Sequence, residues 1–273
     1  MKRFHTLLLL LLVLLAAFGL KARAQHMQPA PETKSNLIQA ALKGWHVRVG
    51  AGLALGGTAP MPLPAEIRKI NSYNPTLCIY IEGDAEKKLT EHWGMMVGMR
   101  FENRGMKTDA RVKNYHVDVV SSDGRGHMVG AWTGNVKTEV DNRYFTFPIL
   151  ATYSFNDRWM VKAGPYLSWM MSGSFTGSVY DGYIRDQDPT GNRSDFGKDE
   201  ETGEWVTATY DFSDDLRRFH WGVQVGGEFK AYKHLSVSAN LQWGLNGIFH
   251  SDFTGVSFSL YPIYGSLGFN YLF

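Results

Sequence analysis

The sequence predicts an all-β fold: an eight-stranded, antiparallel, up-and-down transmembrane β-barrel with short periplasmic turns and long extracellular loops. Three observations predict it. From Trp45 onward apolar residues recur with a period of two, the period of a strand. Eight stretches show this pattern. Their connections alternate strictly between short turns and long segments, which is the asymmetry of an outer-membrane barrel, and an even strand number returns both ends to the periplasmic side.

Composition agrees once strands are considered. The 273 residues are 44% hydrophobic, 20% charged and 14% aromatic, with 29 glycines and a formal net charge of +2. Plentiful aromatics and low net charge exclude a long disordered chain. Beyond the N-terminus no run approaches the roughly 20 apolar residues of a spanning helix. That excludes a helical membrane protein only, because a barrel crosses with about 9–11 alternating residues per strand.

Residues 1–24 read as a secretory signal peptide. Lys2 and Arg3 precede the apolar run Leu7 to Leu20, and Ala22-Arg23-Ala24 offers a small-x-small cleavage site. The mature chain then starts at Gln25 and carries 24 basic and 26 acidic residues, a net charge of −2. Nothing in this balance suggests nucleic acid. Residues 25–44 form a periplasmic leader with Pro29 and Pro31, including a short helical stretch from Asn36 to Lys43. The barrel domain spans 45–273. Its single cysteine, Cys78, excludes an internal disulfide and a cysteine zinc cluster.

The expected strands follow in order. The first two run from Trp45 to Leu55 and from Leu77 to Lys87. The next are Trp93 to Arg104, Tyr144 to Phe155 and Trp159 to Met171. The last three are Phe219 to Lys230, His234 to Asn246, and the C-terminal stretch from Ile263 to Phe273. The clearest is His234 to Asn246, with Leu235, Val237, Ala239, Leu241, Trp243 and Leu245 opposite Ser236, Ser238, Asn240, Gln242, Gly244 and Asn246. Short turns pass through Glu91, Asn156-Asp157 and Tyr232-Lys233. The long segments are 56–75, 106–141, 173–216 and 247–261.

The faces fix the environment. A soluble sandwich or lipocalin-like barrel turns its large apolar residues inward. Here one face carries Trp, Phe, Val and Leu, too bulky for an interior that eight strands leave almost filled. The other carries small residues and charges that fit it. The apolar face therefore points to lipid, with Trp45, Trp93, Trp159, Trp221 and Trp243 at strand ends suited to the interfacial girdle.

Two strands carry a resemblance. Residues Arg143 to Phe155 (RYFTFPILATYSF), a turn, and Met160 to Ser168 (MVKAGPYLS) are similar to the central hairpin of small Bacteroidota outer-membrane β-barrels, the porin-family and PorT-like domains. Those hairpins pair an aromatic-x-x-Pro-Leu/Ile strand with an Ala-Gly-Pro-Tyr strand. Gly222 to Glu228 (GVQVGGE) and Gly268 to Phe273 (GFNYLF) also fit. The resemblance covers Trp45 to Phe273. It implies an outer-membrane location and an eight-stranded barrel but no activity, since fold does not fix function. PorT-like members imply an alternative role as an accessory of a type IX protein-export system.

Candidate site residues fall in two groups. Phe269, Tyr271 and Phe273 form a C-terminal aromatic signal of the kind read by the barrel-assembly machinery. Arg48, Glu82, Glu86, Arg100, Glu102, Lys162, Glu228 and Lys230 all face the lumen by parity. A salt-bridged plug that satisfies buried charges is expected there rather than an open pore.

The loops carry less specific signals. Segment 178–215 holds eleven acids and three bases, net −8, and is expected to be a solvated acidic surface loop. Asp186, Asp188 and Gly191 hint at a calcium loop, but Thr190 and Gly197 stand where ligands belong. In 106–141, Tyr115, Val117 and Val119 alternate, so the adjoining strands are expected to continue as a hairpin beyond the membrane. His116, His127 and His250 lie in loops with Ser121, Ser122, Asp123 and Asp252 nearby. No spacing identifies a nucleophile and its base, so a barrel enzyme acting on lipid or peptide is only an alternative. No catalytic residue, cofactor or metal is expected. The expected role is structural or interactive, with outer-membrane lipid and lipopolysaccharide, the barrel-assembly machinery and an envelope or secretion partner as contacts.

Overall fold

The computed structural model of the chain describes residues 44–121, 127–187, 189–199, 202–256 and 258–273. The expected signal peptide, the leader up to residue 43, and Ser122, Asp123, Asp188, Glu200 and Glu201 lie outside the described residues. Eleven strands are present: β1 (Trp45–Pro60), β2 (Ile67–Pro75), β3 (Cys78–Lys88), β4 (Trp93–Ser121), β5 (His127–Ser154), β6 (Trp159–Asp186), β7 (Arg193–Phe196), β8 (Ala208–Asp211), β9 (Phe219–Tyr232), β10 (Leu235–Gly244) and β11 (Leu260–Leu272).

Eight of them close a ring. Going round, β1, β3, β4, β5, β6, β9, β10 and β11 pair each with the next, and β11 returns to β1, all antiparallel. The closing seam runs from Arg48 opposite Leu272 to Pro60 opposite Leu260. The fold is therefore an eight-stranded antiparallel β-barrel, and closure leaves the membrane part without a free sheet edge.

The lipid belt can be read off β6. Trp159 and Trp169 are exposed and pair with Phe229 and Phe219 of β9. Ten residues at about 3.3 Å, tilted by about 40°, span about 25 Å, the height of an outer-membrane apolar band. Trp93, Tyr153 and Phe155 gather edge to face at one rim, and Tyr271 and Phe273 do the same. Between the rims Ile81, Val161, Val223, Leu241 and Leu267 project outward.

The three longest strands pass well beyond this belt, and there they turn inside out. Along β4 the inward residues Arg100, Glu102 and Arg104 give way to Met106, Val112, Val117 and Val119, while the outward Phe101 gives way to Lys107 and Arg111. Along β5 the inward Thr146 and Asn142 give way to Val140, Val136 and Trp132. Bulges re-aim the side chains. One lies between Val112 and Tyr115, where Asn114 takes a φ of +53° and moves the inward set from even to odd positions. An asparagine tolerates this left-handed conformation. Water outside the membrane demands the swap, because apolar groups must there be buried and charges exposed.

The outer extension has its own closure. β8 pairs with both β6 and the end of β4, so β4, β5, β6 and β8 form a second, smaller ring. Its interior is an apolar core containing Trp132, Phe175, Val179, Phe196, Tyr210, Phe212 and Leu216. Phe175 meets Phe249 edge-on, and Phe249 stacks on Phe253. Each such aromatic contributes about 1.5–3 kcal/mol by leaving water.

This corrects the expectation for 178–215. The segment is not merely a solvated acidic loop. Its start completes β6, it supplies β7 and β8, and Phe196, Ala208, Tyr210 and Phe212 enter the core. Asp195 and Asp211 take the outward positions of those short strands, and the segment's net charge concealed their inward partners. The 56–75 connection likewise holds β2, which pairs with β4. The hairpin expected from 106–141 is present as the continuation of β4 and β5.

Candidate functional site

The barrel interior is filled by two layers of paired charges. In the periplasmic layer Arg48 donates to Glu228 at 2.7 Å and also bonds Glu86. Lys162 lies 3.7 Å from Glu228, Ser236 donates to Glu228 at 2.7 Å, and Thr152 donates to Glu86 at 3.1 Å. In the outer layer Arg100 donates to Glu82 at 2.8 Å, and Arg104 donates to Glu102 at 2.7 Å and to Gln242 at 3.0 Å. Thr146 donates to Glu102 at 2.5 Å. Alternation on neighbouring strands puts these residues at matched heights, with Glu82 opposite Arg100 in the register of β3 and β4.

Tyrosines cap the outer layer. The Arg104 guanidinium lies 4.9 Å from the Tyr144 ring, 5.4 Å from that of Tyr264 and 5.7 Å from that of Tyr166. Arg100 lies 4.4 Å from the Tyr80 ring. Such cation–π contacts strengthen when desolvated, and all six side chains are buried. Space is set by glycine: a Cβ at Gly98 would stand 2.0 Å from a carboxylate oxygen of Asp84. An interior this full buries these charges against one another and leaves no wide water path between them.

Of the eight lumen residues singled out by parity, Arg48, Glu82, Glu86, Arg100, Glu102, Lys162 and Glu228 are buried together in these layers. Lys230 is not with them. It is exposed at the periplasmic mouth, beside Lys88, Arg158 and Lys233 around a vestibule of about 570 Å³. It keeps the inward parity but stands past the last interior layer, where β9 leaves the barrel. Asp84 and Arg104, which parity puts on the polar faces of their strands but which are not among those eight, also belong to the interior set. Both have the right parity in the sequence, and only their strand register was needed to find them. Phe269, Tyr271 and Phe273 lie exposed on the lipid face of the last strand, and the Phe273 amide donates to the Val47 carbonyl at 3.0 Å.

On the outer extension, charges decorate the exterior. Lys107 pairs with Glu139 at 2.6 Å, and Arg111 reaches Asp181 at 3.4 Å. The Tyr180 hydroxyl donates to Asp109 at 2.6 Å; partial burial and that carboxylate push its pKa up to about 12. Burial alone pushes Tyr210 up further. His116, Asp118, His250 and Asp252 come together with Asp211, Asp214 and Asp215 around an open hollow of about 510 Å³. Among the described residues, Thr254 is the hydroxyl side chain that lines it. Among the described residues no cluster of His, Cys, Asp and Glu has metal-binding geometry.

A closed barrel with a lipid-facing exterior has a counterpart among known sequences. The profile of a family described as outer membrane protein beta-barrel domain matches residues 24–250. The chain belongs to this family. This outer-membrane β-barrel protein accordingly resides in the outer membrane. No curated protein matches it by sequence. Among solved structures, it is similar to Ail, the attachment invasion locus protein of Yersinia pestis, crystallised with the heparin analogue sucrose octasulfate. That match has 10% identity, covers 84% of this chain and 99% of the other, and gives a TM-score of 0.37. Neisserial surface protein A is similar at 10% identity, covering 85% and 98%, with a TM-score of 0.29.

Proposed function

We propose that this outer-membrane β-barrel protein is a non-enzymatic envelope protein whose barrel is a sealed anchor and whose outer extension is a contact platform. The observation that carries this reading is the inversion along β4, β5 and β6. Lumen charges stop at the Arg104 layer, and above it an apolar core makes the extension a rigid folded body. Rigid surfaces with fixed charges favour recognition because little ordering is lost on contact. Lys107, Arg111, Asp109 and Glu139 supply that patterned exterior. The partners we propose are outer-leaflet lipid and lipopolysaccharide, an envelope or secretion partner at the outer face, and the barrel-assembly machinery at Phe269, Tyr271 and Phe273. The hairpin of residues 143–168 also supports the finer placement among Bacteroidota porin-family and PorT-like barrels.

The test has two arms. In planar bilayers the purified protein is expected to give no steady conductance, and a large stable channel would overturn the sealed anchor. A deletion strain is then complemented with wild type or with Lys107, Arg111 and Lys137 changed to Glu. Restoration of envelope integrity or adhesion by wild type alone supports the platform. Equal restoration by both overturns it, and a defect confined to secretion favours the export role instead.

A further inference from the structure

We propose that the outer end of the barrel holds a binding site for one acyl chain of an outer-leaflet lipid, reached sideways through a gap between β1 and β2. The gap follows from the pairing. β1 pairs with β3 only as far as Ala54 opposite Cys78, then continues to Pro60 with β11 as its sole partner. β2 pairs only with β4. Between these two edges there is no backbone ladder. The Thr58 amide, which a neighbouring strand would have engaged, donates instead to the Met106 sulfur at 3.2 Å. The seam is bridged by the Tyr73 hydroxyl, which donates to the Gly56 carbonyl at 2.6 Å.

Behind the gap is a cavity of about 370 Å³. It lies above the lumen plug, with buried Met106 next to the Arg104 layer. Its walls are Val112 and Val136 inside the extension and Leu260 and Ile263 on the β11 side. An apolar cavity of about 150 Å³ stays dry and holds benzene, so this one accommodates a hydrocarbon of roughly a dozen carbons.

Three features point to a lipid chain as the occupant. The cavity's mouth is apolar and open, with Leu63 64% and Ile70 58% exposed. Just below the gap, where the pairing of β1 with β3 ends, the outward residues Leu53, Leu55, Leu77 and Ile79 carry the lipid-facing surface up to its edge, whereas on β4 the outward face has already turned charged at Lys107. Finally, exposed Arg68 and Lys69 stand on β2 between the cavity residues Ile67 and Ile70. An apolar slot beneath cations fits an anionic amphiphile: the chain fills the slot and the headgroup phosphates meet the basic lip.

The test uses the full-length protein in liposomes containing a phospholipid with a photoactivatable diazirine in its acyl chain. Adducts are mapped by peptide mass spectrometry. Adducts are expected on inward-facing Val112 and Val136 as well as on the exterior. Ala110→Trp, which fills the cavity, should lower the interior adducts at least fivefold and leave those on Leu53 and Ile79 unchanged. Folding of the variant is checked by heat-modifiable migration, and Ile70→Asp at the mouth provides a second variant should the first misfold. Interior adducts that persist in a folded blocked variant, or labelling confined to the exterior in wild type, would overturn the site. Interior labelling by a water-soluble fatty acid but not by the membrane lipid would overturn lateral access.

Discussion

Arg48 on β1 offers one guanidinium nitrogen to both carboxylate oxygens of Glu228 on β9, each at 2.7 Å, across the interior of the barrel. Its other nitrogen bonds Glu86 on β3. One side chain thus ties strands on opposite parts of the wall, from the first strand to one 180 positions later. The pair is buried, so its value lies in what happens when it is broken.

Replacing Arg48 by Met leaves Glu86 and Glu228 as buried acids with only Lys162 nearby. The expected cost is about 3–5 kcal/mol, because the loss is that of an uncompensated buried charge rather than of a contact. Urea unfolding in lipid vesicles measures it. The double variant Arg48→Met with Glu228→Gln should recover part of the loss, since one of the stranded charges is then gone. A single variant as stable as wild type would show that the layer is hydrated rather than dry.

The outer ring can be broken without the barrel. A Cβ at Gly177 would stand 2.1 Å from the Lys137 carbonyl oxygen and 2.2 Å from the Tyr210 hydroxyl oxygen. That hydroxyl donates to the Lys137 carbonyl at 2.9 Å and holds β8 in place. Gly177→Val should therefore release β8. Proteolysis within 187–216 is expected to speed up about tenfold or more, as for a loss of 1–3 kcal/mol of local stability. Heat-modifiable migration should stay normal because β8 is no part of the membrane ring. Loss of that migration would mean that the two rings fold as one unit.

These two sites also mark where the sequence could be read and where it could not. Strand period and face were legible through residues such as Leu235 to Leu245, because lipid and lumen impose opposite chemistry on alternate positions. The ends of β4, β5 and β6 were harder. Their faces exchange chemistry at Met106 and Val140, and bulges at Asn114 and beside Tyr144 interrupt the period itself. β8 was hidden for another reason. Its four residues and the one that follows carry the pattern Ala208, Tyr210 and Phe212, yet they stand in a segment with eleven acids whose charge suggested solvent alone. In the lumen, parity named eight charges, of which seven are buried, but gave no heights. Lys230 therefore stood in the group of eight, while Arg104, on the same polar face by parity, did not.

Alkali should loosen the outer sheet before the barrel. The Tyr180 phenol donates to Asp109 on β4 and its pKa is raised to about 12. An unfolded tyrosine ionises near 10. The folded state holds its proton longer, so this bond's stabilisation is intact below about pH 10 and is lost as pH rises through 12. Tyr180 is largely solvated, so the effect is modest. Absorbance of phenolate and proteolysis of the extension should change together across that window. Tyr180→Phe should remove this component of the transition, and an unchanged profile would place the alkaline response elsewhere.

Variants at Phe273 test assembly in the cell apart from stability in the membrane. Its amide donates to the Val47 carbonyl, so the last residue helps to close the β1–β11 seam. Its ring packs edge-on against Tyr271 at 5.0 Å and is otherwise exposed to lipid. Deleting Phe273 removes both the seam bond and the ring, whereas Phe273→Ala keeps the bond and loses only the ring. A residue read by the assembly machinery should fail in both variants inside cells, with the folded, heat-modifiable fraction falling severalfold. Refolded from urea into vesicles, where no machinery acts, Phe273→Ala should assemble nearly as well as wild type, since a terminal ring at the interface contributes little to barrel closure. Normal assembly of Phe273→Ala in cells would sink the recognition reading. Equal failure in vesicles would assign the defect to stability, because the seam would then depend on the ring itself.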